Sequence, residues 1–281
     1  MTLQNSILTE DEAVEQQIKQ HMAQGDSRGE SGDLHGAVSE YKKAAALAPD
    51  SAGHWTRLAE VYAAADKPQQ ALQCYQKVLE SSRHSNGPLP AEVVEAHLGL
   101  GDMCCTFAMS AAAVRSYERA VRSRPNKPFY RWKLATALIT LGMYDKAQRQ
   151  LAKVVELAPQ DAFYRFSLAD VLLMMRRDRE AIRELKRVVE MASKDDYYHL
   201  RLGAALLRNE RPAEALPHFE RAVALNENNP SYRVLLGYAR QRNVKGEEHH
   251  AGIAAEVESI ELHPYDADFV NRFKVLSQPL P

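Results

Sequence analysis

The 281-residue chain lacks most of what would mark an enzyme, a secreted protein or a membrane protein. Cysteine is scarce: Cys74, Cys104 and Cys105 are an odd set with neither a disulfide framework nor metal-ligand spacing, so they read as small core residues in a reducing compartment. Charge of one sign is missing too. With 36 basic against 37 acidic side chains the formal charge is -1, and no overall field draws the chain to nucleic acid or to an anionic membrane. No stretch approaches the ~18 uninterrupted apolar residues of a membrane span. The start, MTLQNSILTEDEAVEQQ, has no basic or apolar region of a secretory leader, and a soluble, cytoplasmic protein is expected.

Catalytic signatures are absent as well. No G-x-S-x-G, H-E-x-x-H or Walker-type loop occurs. HLGLGDM, residues 97–103, holds a G-x-G pair without a third glycine, inside a helical pattern. His249 and His250 follow Glu247 and Glu248, but adjacent helical residues point about 100° apart and share one ion poorly. No catalytic residue, cofactor or metal is expected, and the chain is read as a non-enzyme.

What is present is periodicity. Pro125 in SRPN and Pro159 in LAPQ stand one 34-residue step apart, each closing an apolar-periodic stretch, and Ser193 and Glu227 continue the step through equivalent turns. With that turn as position 32, position 20 is Ala37, Ala71, Ala113, Ala147, Ala181 and Ala215. Position 24 is Tyr41, Tyr75, Tyr117, Leu151, Leu185 and Phe219, and position 8 is Gly25, Ala59, Gly101, Ala135, Ala169 and Gly203. Small residues let two helices approach, and a large one fills the space beside them.

Trp55, Leu58, Ala59, Tyr62, Ala71 and Tyr75 follow the pattern W-x2-L-G-x2-Y…A-x3-F, and the chain resembles the tetratricopeptide repeat family. The resemblance covers residues 18 to 229 as six repeats, with a seventh begun by Pro230, Tyr232, Leu236 and Gly237. It implies an all-α, right-handed α-solenoid of six to seven tandem 34-residue hairpins with capping helices at both ends. The expected organisation is a polar N-terminal segment over 1–17, repeats 1–2 over 18–83, an insertion over 84–93, repeats 3–6 over 94–229, a partial repeat over 230–264 and a capping helix and tail over 265–281. Pro49 to Pro125 is 76 residues, two periods plus eight, which places the insertion; it reads as a tolerated loop or as a hinge or groove cover. Thr9 and Glu12 form a candidate capping box, and Phe269, Val270, Phe273 and Leu276 make one stripe that either caps the stack or enters a neighbouring molecule.

Such a stack presents an extended surface lined by the first helix of each repeat, and the resemblance implies that positions 2, 5, 9, 12 and 13 face a bound peptide. Position 5 then supplies an apolar ladder of Leu98, Trp132, Phe166, Leu200 and Val234. Phe129 and Tyr197 join it at position 2, Ile139, Leu173 and Leu207 at position 12, and Met174 at position 13. Asp102, Thr136, Asp170, Arg208 and Tyr238 are the polar or mixed members of the same set. Arg131 stands where the family often has Trp, and the indole comes one residue later as Trp132, expected to be an exposed hot spot. The opposing reading packs these residues between adjacent first helices.

Relatives that clamp a carboxylate do so with Lys, Asn and Arg. Here the first three repeats read Met22 and Asp26, then Arg57, then Glu95 and Gly99, so that clamp is not expected. The expected partner is a protein or peptide, held as an apolar or amphipathic helical segment. Two other readings are a self-assembling module, joined through the groove or the C-terminal helix, and an RNA-binding repeat. For the last, MRRDREAIRELKR over 175–187 is the most basic stretch, but Asp178, Glu180 and Glu184 interleave its charges and it reads as a solvated helix face.

Overall fold

The computed structural model describes residues 10–81 and 89–245, all of whose regular structure is helical. The N-terminal residues including Thr9, residues 84–88 of the insertion, His249 and His250, and the C-terminal stripe around Phe269 and Phe273 lie outside the described residues.

First helices are α1 (Glu10–Glu30), α3 (Ala52–Ala64), α5 (Ala91–Thr106), α7 (Pro128–Thr140), α9 (Ala162–Met174), α11 (Asp196–Arg208) and α13 (Pro230–Lys245). Between them run α2 (Leu34–Leu47), α4 (Pro68–Ser81), α6 (Ser110–Ser123), α8 (Tyr144–Leu157), α10 (Asp178–Met191) and α12 (Pro212–Leu225). Two compact units divide between Gly142 and Met143. In the first unit α1 to α7 pack neighbour on neighbour, and α3 also meets α5; in the second, α8 to α13 pack in chain order. Residues 10–17 and the first helix of repeat one form a single 21-residue helix, α1. α5 runs 16 residues where α3 has 13, so part of the extra length before repeat three is helical.

The turns between hairpin arms explain the short loops. Gly32, Asp66, Ala108, Gly142, Arg176 and Glu210 all take left-handed backbone with φ between 54° and 82°. Their spacing is 34 residues except from Asp66 to Ala108, where the eight extra residues enter. At five of these turns the next residue's N–H reaches back to the helix: Asp33 to the Arg28 carbonyl (2.9 Å), Lys67 to Tyr62 (2.8 Å), Met109 to Cys104 (2.7 Å), Arg177 to Leu172 (2.9 Å) and Arg211 to Leu206 (3.0 Å). That bond satisfies a carbonyl which the helix end would otherwise leave open. At helix starts, Asp161 and Asp195 accept from the N–H groups of Tyr164 and Tyr198, both at 3.1 Å.

The alanines at position 20 are fully buried in every repeat, and the position-24 side chains are buried with them. Position 8 is sized to match. A Cβ on Gly25 would sit 2.6 Å from the Tyr41 ring, one on Gly101 would collide with Tyr117, and one on Gly203 would meet Phe219 at 3.0 Å. Tyr75 breaks the pattern: its own repeat carries Ala59, and its ring end lies against Gly99 of α5. One buried phenol thus joins α4 to the following repeat across the eight-residue offset.

Candidate binding site

In the first unit, α1, α3 and α5 enclose a cavity of about 790 Å³. Met22 comes from α1; Gly53, His54, Thr56, Arg57 and Glu60 from α3; Glu92 and Glu95 from α5. Three carboxylates and one guanidinium therefore line it. Arg57 donates to Glu60 (3.2 Å) from its own helix, and the Tyr130 hydroxyl of α7 donates to Glu95 (2.9 Å). The Thr56 hydroxyl lies 3.2 Å from the Glu92 carbonyl and ties the starts of α3 and α5 together. Burial pushes the Glu60 carboxyl above its usual range; Arg57 opposes this, and Glu95 and Asp26 add to it. His54 is held below the ordinary imidazole value by burial, and its Nδ1 is buried with no hydrogen-bond partner.

On α7, Phe129 stacks on Trp132 with ring centroids 6.0 Å apart, and Lys133 Nζ sits 5.4 Å from the Phe129 ring centre. Lys133 also pairs with Asp102 at 3.0 Å, while Asp102 accepts from the Tyr117 hydroxyl. Phe129 is 38% exposed and Trp132 only 8%. The expectation of an exposed indole is corrected: Phe129 covers one face of Trp132, and the exposed aromatic on α7 is Phe129. Leu98 is buried, Ile139 is half-buried, and the Thr136 hydroxyl bonds back to the Trp132 carbonyl within its own helix at 3.1 Å.

In the second unit Phe166, Leu173, Leu200, Leu207 and Tyr238 are buried, Met174 and Tyr197 are half-buried, and Val234 is 52% exposed. The polar members are consumed internally. Asp170 pairs with Arg201, whose guanidinium is 1% exposed and lies 5.7 Å from the Phe166 ring centre. Arg208 pairs with Asp178 at the start of α10. The expected open apolar ladder at position 5 is thus buried at Leu98, Trp132, Phe166 and Leu200 and exposed at Val234, with Tyr197 and Tyr198 lying against the Phe166 ring.

Other expectations also meet the structure. Cys74 and Cys104 are buried, but Cys105 is exposed, which corrects its assignment to the core: it lies at the end of α5, with Sγ 3.8 Å from the Tyr117 hydroxyl. The basic stretch falls on α10, where Arg177 and Arg183 pair with Glu180, and Arg187 with Glu184.

One functional regularity was missed by sequence reasoning. Trp55 Nε1 donates to the Pro49 carbonyl (2.7 Å), Arg131 Nε to Pro125 (2.7 Å), Arg165 to Pro159 (3.0 Å), His199 Nε2 to Ser193 (3.2 Å) and Arg233 to Glu227 (2.7 Å). Each donor stands six residues after its acceptor, at the same repeat position. Arg131 therefore replaces the bond that an indole makes in repeat two. A column of side-chain donors at 34-residue intervals was the available signal. Glu60 and Glu92 were also not singled out as site residues; they become visible only when α3 and α5 are brought side by side.

Among the described residues no helix is long and apolar enough to cross a membrane. No curated protein matches the chain by sequence. Among solved structures the chain is similar to YrrB, a TPR protein with an unusual peptide-binding site, at 21% identity and a TM-score of 0.59, over 72% of this chain and 97% of that one. It is also similar to pilF of Pseudomonas aeruginosa, at 16% identity and a TM-score of 0.62, covering 80% and 99%. MamA from Desulfovibrio magneticus RS-1 follows at 20% identity and 0.56, covering 64% and 97%. At these identities the likeness is one of fold. Tetratricopeptide repeat models match residues 50–126, 132–196 and 168–232, which together take in more than half of the chain. With their buried small-to-large pairs and left-handed turns recurring at the same period, these repeats make the chain a member of the tetratricopeptide repeat family.

Proposed function

We infer that this chain is a non-catalytic scaffold that holds an amphipathic segment of a partner protein against the first helices of its repeats. Proteins of this family are in general interaction modules, and the peptide-binding site of YrrB is consistent with that role here. The observation that carries the reading is the cavity of about 790 Å³ shared by α1, α3 and α5, on the helices whose register positions face a peptide in the family. Its volume lies in the range of ligand sites, and the exposed Phe129 on α7, a first helix of the same unit, offers a large rigid apolar contact. In this reading the apolar side of the partner meets the uncovered members of the predicted set in the first unit, Phe129 and Ile139, while buried Trp132 supports Phe129 from beneath.

The test is affinity capture from the source lysate with wild type and Phe129→Glu in parallel, read by mass spectrometry. Because Phe129 is partly exposed, the charge is expected to keep the chain helical and folded, with a lower melting temperature from the lost stack on Trp132, while removing a protein retained by wild type. Identical sets on both baits, or no retained protein, would overturn the reading.

A further inference from the structure

We propose that His199 and His218 form a binding site for a divalent transition-metal ion of the zinc class, which clips α11 to α12 within the second unit. The site is separate from the cavity of the first unit and does not depend on the scaffold reading. The Nδ1 atoms of the two rings lie 3.2 Å apart and the ring centres 5.4 Å apart, so the imidazoles meet by their nitrogen edges and not by their faces. Two imidazole nitrogens at about 2.0–2.1 Å from one tetrahedral ion stand roughly 3.3–3.4 Å from each other. The pair is a small adjustment away from that spacing.

His199 is also oriented as a ligand is. Its Nε2 lies 3.2 Å from the Ser193 carbonyl, which can only accept, so Nε2 carries the ring proton and Nδ1 presents its lone pair to His218. A backbone carbonyl on the far nitrogen is a usual outer support of a metal-bound imidazole. His199 is 7% exposed, whereas His218 is half-buried and gives access to the pair from α12. In the hydrogen-bonded pair His218 holds its proton on Nδ1 and donates it to His199. Metal binding moves that proton to His218 Nε2 and gives both Nδ1 lone pairs to the ion, so the neutral pair releases no proton.

The same two repeat positions elsewhere are filled differently. Arg165 meets Glu184 and His21 meets Glu40, each at 2.7 Å. There a donor faces a carboxylate and the pair is complete in itself. In repeat six both partners are bases of one kind, whose lone pairs a single ion satisfies together. Of the charges that act on His218, Lys186 opposes a cation; Glu214, paired with Lys186 at 3.2 Å and one turn before His218 on α12, favours it. Among the described residues no group of three His, Cys, Asp or Glu is placed to hold an ion, so the protein supplies two ligands and water fills the remaining positions. Imidazole nitrogen suits Zn2+, Cu2+ and Ni2+, while Mg2+ and Ca2+ take oxygen.

The experiment is calorimetric titration of the full chain with ZnCl2 and, separately, with MgCl2. The chain carries His249→Gln and His250→Gln, which removes a competing pair of adjacent histidines. One equivalent of Zn2+ is expected to bind and Mg2+ not to; adding His218→Gln is expected to weaken Zn2+ binding about tenfold or more. Circular dichroism checks that this variant stays helical. Imidazole nitrogen NMR before that last substitution gives a second readout, with Zn2+ expected to shift the Nδ1 signals of His199 and His218 and EDTA to reverse the change. No saturable Zn2+ binding, equal binding of Mg2+, undiminished binding by His218→Gln, or shifts confined to other histidines overturns the site.

Discussion

Arg131 donates its Nε–H to the carbonyl of Pro125, as Trp55 donates its indole N–H to Pro49. The two side chains share no shape, only a donor at the right reach. Arg131→Ala is therefore expected to lower stability by about 1 kcal/mol, and Arg131→Trp to keep most of it. Chemical denaturation of the two variants beside wild type checks the ranking; equal losses would show that packing, not the bond, matters at this position.

Glycine substitutions separate close approach from helix propensity. Gly101→Ala drives a methyl into the Tyr117 ring and is expected to cost about 1–3 kcal/mol even though alanine favours a helix. Gly203→Ala should cost less, since Phe219 stands 3.0 Å away. Gly29→Ala meets nothing within 4 Å and is expected to raise stability by about 0.5–1 kcal/mol. Thermal melts of the three give the order directly.

Ala108 and Glu210 hold left-handed backbone at φ 56° without being glycine. That conformation costs an L-residue about 1–2 kcal/mol, partly offset by the unfolded-state entropy glycine adds. Ala108→Gly and Glu210→Gly should each gain roughly 0.5–1 kcal/mol, and Gly142→Ala should lose a comparable amount. An unchanged melting temperature in all three would contradict the strain.

Acid should weaken the fold before the carboxylates titrate. Burial, with Arg119 and Arg122 nearby, pushes His97 down to about 4, and burial with His199 and Lys186 lowers His218. Both folded values lie below that of an unfolded histidine, ~6.5, so their contribution is complete above that pH and is lost as pH falls from about 6.5 toward about 4. Melting temperature is expected to drop across this window, and His97→Gln to flatten the drop. An unchanged slope in the variant would exclude His97 as its source.

The repeat was legible because it leaves a covalent record. Alanine at position 20 is required wherever two helices touch, and its period survives in the letters. Exposure was not legible: Trp132 and Phe129 are three residues apart, both aromatic and both at register positions that face a ligand in the family, yet one covers the other. Only the placement of rings on adjacent turns decides which meets solvent. The acidic cavity was hidden for a different reason, since Glu60 and Glu92 belong to repeats separated by extra residues that break the register by which such pairs are found.

The packed helix pairs in each unit are neighbours or next neighbours in the chain, and bonds as distant as Thr56 to Glu92 and Tyr232 to Asp196 span only 36 residues. Little loop entropy must be lost before native contacts begin to form, so folding is expected to be fast and able to start in any hairpin. The same locality removes any single keystone: hydrogen exchange should show hairpins at a unit's ends opening before those inside it, giving graded protection instead of one global value.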